Sequence, residues 1–134
     1  MRKWLPVMIC VLVFMPALAI GGSYEGSIQG FSCVTQGKVC PVGREDPMVA
    51  AEKVFVLFVK AGKYYFIPNV DRAILARHLN KMVKVAGIMS ANFNSIQAKE
   101  LYVMDGGKWV KKWSQDWQDE IYDEITKGVP LGGS

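Results

Sequence analysis

Lys53-Val54-Phe55-Val56-Leu57-Phe58-Val59-Lys60-Ala61-Gly62-Lys63-Tyr64-Tyr65-Phe66-Ile67 decides how this chain folds. Val54 to Val59 is an uninterrupted apolar run rich in branched and aromatic side chains, which pack well on a pleated surface. A second aromatic run, Tyr64 to Ile67, follows it, and Gly62 between them tolerates the positive φ of a tight turn. The stretch reads as a central β-hairpin. Pairing across Ala61-Gly62 sets Val59 opposite Tyr64, Phe58 opposite Tyr65 and Leu57 opposite Phe66, with apolar side chains on both faces. Such a hairpin has no face to offer solvent, so Val56 and Phe58 are both expected inside. The rest of the chain is then expected to wrap it in a closed or nearly closed β-structure.

Downstream of Pro68, Asn69 or Asp71 can cap a helix of about ten residues with Ile74, Leu75, His78 and Leu79 on one face. Met82 to Ile88 and Ile96 to Met104 alternate as strands on either side of a turn at Ala91 to Ser95. In the second of them Ile96 and Ala98 keep one phase while Leu101 and Val103 keep the other, which requires a bulge near Lys99-Glu100. Asp105-Gly106-Gly107 closes that strand. From Ser114 to Lys127 the period becomes helical: Trp113, Trp117, Ile121 and Ile125 recur every fourth residue, acidic residues occupy the other side, and Gly128 and Pro130 end the helix.

Upstream, Ser27 to Val34 reads as a first strand with Gly26 and Gly30 where a curved strand must bend. Phe31 to Cys40 reads as a tight hairpin whose Gln36-Gly37 turn sets Cys33 opposite Cys40. Pro41 to Pro47 is a polar loop, with Asp46 capping a helical turn that has Pro47 in first position.

The order strand, loop, strand, strand, short helix, strand, strand is that of an OB-fold. Val83-Lys84-Val85-Ala86-Gly87, followed by Ile96-Gln97-Ala98-Lys99 and Leu101-Tyr102-Val103, resembles the closing strands of small secreted bacterial OB-fold-like domains, a largely uncharacterised group. The resemblance covers roughly Glu25 to Met104 and brings no catalytic motif. It implies a mainly β chain folded as a small OB-fold-like barrel with one short helix between strands 3 and 4, and the helical period adds the C-terminal amphipathic helix after it. The expected organisation is a signal peptide at 1–19, a spacer at 20–24, the barrel domain at 25–112, the amphipathic helix at 113–127 and a tail at 128–134.

The export signal accounts for part of the 51% hydrophobic content of these 134 residues. Arg2 and Lys3 precede an uncharged run from Leu5 to Leu18, and Ala17-Leu18-Ala19 fits a signal-peptidase site. An uncleaved anchor is the alternative, although the run is shorter than the ~20 residues that span a bilayer and is broken by Pro6 and Pro16. Ile9 before Cys10 is not the small residue of a lipoprotein signal. The expected location is periplasmic or secreted, with a membrane attachment only if the N-terminal segment is retained. Losing Arg2 and Lys3 lowers the basic residues from 16 to 14 against 12 acids, and a net charge of about +2 names no partner.

Cys33 and Cys40 form an even pair in a chain bound for an oxidising compartment, which favours a disulfide. Their spacing matches neither a zinc knuckle nor a Cys-x-x-Cys redox site, so no metal and no cofactor is expected. His78 is the only histidine, no acid–base pair stands out, and Met48, Met82, Met89 and Met104 are scattered as core filler, so the chain reads as no enzyme. Tyr64, Tyr65 and Tyr102, near Lys60, Lys63 and Lys84, make a candidate ligand face of the kind that stacks single-stranded nucleic acid. Export argues against nucleic acid and for a peptide, a glycan or a subunit. Trp113, Trp117, Ile121 and Ile125 make a candidate partner-binding stripe, unless the helix folds back over the barrel mouth. The expected function is that of an exported, non-enzymatic accessory or protein-binding domain in the bacterial periplasm, engaging a protein partner or larger complex through this helix and a barrel face. The alternative is a periplasmic small-ligand or metal-binding module built on the barrel face and the Cys33 loop.

Overall fold

The computed structural model describes residues 21–90 and 92–128, and the expected export signal and the last residues of the tail lie outside them. The described chain runs as β1 (Gly22–Gly30), α1 (Phe31–Thr35), α2 (Glu45–Ala51), β2 (Phe55–Lys60), β3 (Lys63–Phe66), α3 (Arg72–Ala76), β4 (Met82–Ser90), β5 (Ser95–Asp105), β6 (Lys108–Ser114) and α4 (Gln115–Thr126). The strands form one mainly antiparallel six-stranded sheet in the order β3-β2-β1-β4-β5-β6, with a further parallel contact of β3 to β5 at Phe66 and Ser95.

The first strand serves two neighbours with different halves of its length. Ser27 to Gly30 pair with β2, whereas Gly22 to Ser27 pair with β4. Such a strand must bend at the changeover, and Gly26 stands there: a Cβ on it would run into the carbonyl of Phe58. A second close approach lies between β4 and β5, where a Cβ on Gly87 would meet the Gln97 carbonyl. The pairing of β4 with β5 shifts there, Ala86 facing Glu100 and Gly87 facing Ala98, so Lys99 is the extra residue that the change of phase in this strand demands. That shift lets Ile96 and Ala98 join Leu101 and Val103 in the core, beside Ile28, Leu57, Val83 and Val85.

The central hairpin forms, but with a different register. Val56 faces Phe66, Leu57 faces Tyr65, Phe58 faces Tyr64 and Lys60 faces Lys63, so Val59 is bulged out and exposed. The bulge moves each expected partnership by one residue. Phe55 and Leu57 therefore point into the core, while Phe58 is only half-buried on the opposite face. Val56 shares that opposite face and is fully buried, in a row with Phe66, whose ring packs 5.3 Å from that of Phe31.

The expected hairpin from Phe31 to Cys40 does not form. Phe31 to Thr35 is a helix instead, and the residues read as a spacer from Gly22 to Tyr24 belong to β1. The buried carboxylate of Glu52 receives the Ser32 amide at 3.1 Å and its hydroxyl as well, satisfying donors that a helix start leaves open. Gly37, at φ +73°, ends the helix: its amide donates to Val34 O at 3.0 Å, and that of Lys38 to Cys33 O at 3.0 Å. Asp46 likewise lies inside the first turn of α2, which starts at Glu45 rather than at Pro47. The third helix keeps its Asp71 cap, Oδ1 accepting from Ala73 N at 2.7 Å, but spans five residues: beyond Ala76 the chain tightens into turns, His78 N donating to Leu75 O at 3.0 Å and Leu79 N to Ala76 O at 3.3 Å, before Asn80 at φ +64° leads into β4.

Another correction comes at the C-terminal side. Asp105 and Lys108 pair across Gly106 and Gly107, both at positive φ, and this two-residue turn starts a sixth strand. Trp113 belongs to that strand, and the helix begins at Gln115 with Ser114 as its cap.

Leu57→Ala should cost ~2 to 5 kcal/mol, because it opens a cavity in the sealed face, and Phe58→Ala should cost clearly less. Urea unfolding of both variants checks the order. Equal losses would mean that the two faces of β2 are buried alike.

Candidate docking groove

A long helix with hardly any burial marks the site. Trp117, Ile121 and Ile125 are 47%, 56% and 66% exposed, and Tyr122 beside them is 61% exposed. Helical spacing puts these side chains on one face. Across from that face stand Ile74, Arg77 and His78 of α3 and its C-terminal turn, with Trp113 as the floor and Lys112 on the rim; the space between measures about 380 Å³. The sheet holds only the first turns of the helix. Ser114 Oγ accepts from Trp117 N at 3.3 Å, Trp113 Nε1 donates to Gln118 Oε1 at 3.0 Å, and Lys111 Nζ lies 5.7 Å from the centre of the Trp117 ring. Asn69, the alternative to Asp71 as a helix cap, clamps this corner: it bonds both backbone groups of Ala98 and donates to Gln115 Oε1 at 3.0 Å.

The opposite side of α4 is acidic and exposed. Asp116, Asp119, Glu120, Asp123 and Glu124 lie along it, and none pairs with a cation of the described residues. The groove, whose own charged lining residues are Arg77 and Lys112, thus lies on one side of α4 and the carboxylates on the other. A larger hollow of about 650 Å³ lies on the other side of α3, where charged side chains such as Glu45, Asp46, Arg72 and Lys81 stand among apolar ones and Asn80 donates to Glu45 Oε1 at 3.0 Å.

Of the expected stripe, the structure keeps Trp117, Ile121 and Ile125 together and removes Trp113 to the core, where it is 4% exposed. The α3 wall is a tertiary neighbour that no local pattern announces. Tyr122 was open to detection, since it falls on the apolar side of the helix.

The candidate ligand face does not assemble. Tyr65 packs against the core near Tyr24, ring centres 6.1 Å apart. Tyr64 joins Phe31 and Phe66 on the outer face of β3. Tyr102 lies on the outer face of β5, its ring covered by Lys84 at 5.1 Å and Lys111 at 5.8 Å, its hydroxyl 2.5 Å from Glu100 Oε2. Glu100 also pairs with Lys111, and that bond, with the tyrosine hydroxyl, holds its carboxyl below the usual range.

Cys33 and Cys40 lie far along the chain from the groove, beside the buried polar side chains Gln29 and Glu52. Burial alone would raise Glu52, but hydrogen bonds from Ser32 and from the amides of Val54 and Lys53 outweigh it and hold its carboxyl low. Among the described residues, no group of three or more His, Cys, Asp or Glu side chains is placed to hold a metal.

No protein family, curated protein or solved structure matches the chain.

His78, in the groove wall, has a buried Nδ1 without a partner among the described residues. Burial depresses its pKa, and Lys81, Lys112 and Arg77 add to the effect. The folded chain therefore resists a proton that the unfolded chain takes up, so this stability is complete above the ordinary histidine value of ~6.5 and is lost as pH falls through it. Urea midpoints at about pH 7 and about pH 5.5 should differ for the native chain and converge for His78→Gln. Equal slopes in both proteins would remove His78 as the cause.

Proposed function

We propose that the chain is an exported, non-enzymatic accessory domain that binds a protein partner through the groove between α3 and α4. The observation that carries this reading is the apolar face of Trp117, Ile121 and Ile125, which the fold leaves about half or more exposed. Burying each such side chain is worth ~1.5 to 3 kcal/mol, and aromatic anchors in desolvated pockets dominate binding energy at interfaces. Charge narrows the partner. The carboxylates on the outer side of α4, which pair with no cation of the described residues, favour a partner that sets apolar side chains into the groove and reaches around the helix with Lys or Arg.

The scaffold proposed for this role is an OB-fold-like barrel. Supporting it are the pairing of β1 with both β2 and β4, the parallel contact of β3 with β5, and a short helix between β3 and β4. The periplasmic or secreted location rests on the pattern Arg2-Lys3, Leu5 to Leu18 and Ala17-Leu18-Ala19.

A labelled amphipathic peptide with Leu and Lys at helical spacing should bind the full chain by fluorescence anisotropy, and more weakly as salt rises. Its counterpart with Glu in place of Lys should not. Ile125→Asp should weaken binding by about tenfold or more, equivalent to ~1.4 kcal/mol, while changing stability by no more than ~0.5 kcal/mol. Equal binding of both peptides, or an unaffected Ile125→Asp protein, would defeat the proposal.

A further inference from the structure

The groove leaves the two cysteines of the described chain unused. We infer that Cys33 and Cys40 close an intramolecular disulfide by thiol–disulfide exchange, with Cys33 as the sulfur that meets the oxidant and Cys40 as the one that completes the bond. The two Sγ atoms, thiols in this structure, lie 2.7 Å apart, well inside the distance at which unbonded sulfurs ordinarily rest. Their approach is built into the backbone. The helix end at Gly37 turns the chain back over α1, and the Cys40 amide is then held by Gln29 Oε1 at 2.6 Å. Gln29 is itself buried, and its Nε2 donates to Ser27 Oγ at 3.1 Å. From the other side Gly30 N donates to Cys40 Sγ at 3.2 Å. Both side chains are thus held against one another by the surrounding backbone.

The order of reaction follows from access. Cys33 is half-buried, whereas Cys40 is 1% exposed, so a disulfide arriving from solvent reaches Cys33 alone. The Cys33 thiolate, its proton lost to water, attacks one sulfur of the oxidant and expels the other as a thiolate, which takes up a proton. Cys40 then gives up its proton and attacks Cys33 Sγ, expelling the second oxidant sulfur. Two protein thiols are oxidised, and one small-molecule or protein disulfide is reduced to two thiols. Burial, with the neighbouring Cys33, pushes the Cys40 thiol up to about 12, so it depends on proximity rather than on standing ionisation. The buried bond is shielded from reductants for the same reason that Cys40 is shielded from oxidants.

The test uses the full chain incubated with a mixture of oxidised and reduced glutathione, quenched in acid, unfolded and alkylated. Trypsin cleaves after Lys38, between the two cysteines, so the closed bond appears as two peptides that separate only on reduction. Cys10 shares the tryptic peptide of residues 4–38 with Cys33, so fragmentation of that peptide assigns each modification to one or the other, and alkyl on Cys10 reports that alkylation worked. Alkyl groups or separate glutathione adducts on both Cys33 and Cys40 would overturn the disulfide. The order is read from single variants. Cys40→Ser should trap one glutathione on Cys33, and Cys33→Ser should leave Cys40 unmodified over the same time. Modification of Cys40 at a rate equal to that of Cys33 would overturn the order.

Discussion

Everything in this sheet depends on a single strand being shared along its length. β1 gives its first half to β4 and its second half to β2, with Ser27 paired on both sides. A straight strand would present the same residues to both neighbours, so the diagonal division forces a bend. Gly26 permits it because the Phe58 carbonyl occupies the place where any other residue would carry its Cβ. The bend turns Ile28 inward toward Leu57 and Val85, and all three are sealed from solvent. The same curvature carries β3 and β5 far enough around for Phe66 to meet Ser95. The aromatic hairpin is thus one wall of a structure whose hinge lies in a glycine-bearing strand of quite ordinary appearance.

The parts of the fold that were legible in the sequence are those in which a local pattern has one physical solution. The phase change between Ala98 and Leu101 needs an extra residue, and Lys99 supplies it. Asp71 caps its helix because its side chain can reach the amide two residues on. The misreadings occur where two solutions share one pattern. Turning at Ala61-Gly62 with or without a bulged Val59 costs the local chain little, and the choice falls to which face of Phe58 can be buried. Phe31 to Val34 alternates as a strand would, yet the carboxylate of Glu52, far along the chain, meets the Ser32 amide and starts a helix there. No reading confined to neighbouring residues contains that contact.

The site was half legible for the same reason. A spacing of four joins Trp113 to Trp117 whether Trp113 closes a strand or opens a helix. The Gly106-Gly107 turn and the alternation of Trp109, Lys111 and Trp113 were the signals for the strand. Removing Trp113 from the stripe changes its meaning: it becomes the fixed floor, and Trp117, Ile121 and Ile125 become the open wall. The other wall, from Ile74 to His78, is brought there by the fold of a segment about forty residues earlier in the chain. The three tyrosines show the converse. Proximity in sequence to lysines suggested one platform, but alternation in a strand sends Tyr64 and Tyr65 to opposite faces, and Tyr102 is already covered by Lys84 and Lys111.

The helix that bears the open wall is itself weakly supported, and that bears on how it would bind. Twelve residues are too few for stable helix in isolation, and here tertiary support ends near Gln118. Beyond it, Glu120 and Glu124 repel at four-residue spacing, as do Asp119 and Asp123, at a few tenths of a kcal/mol per pair. Asp123 and Glu124 also stand near the negative end of the helix dipole, and its last turn carries no basic residue. Only Asp116, in the first turn, is placed favourably. A partner of the proposed chemistry would relieve each of these defects together. Its apolar side chains would cover Ile121 and Ile125, and its cations would neutralise the carboxylates on the far side. Part of the binding energy would then be spent ordering the last two turns of α4, so affinity would rise with any change that stabilises the helix alone, without a new contact to the partner.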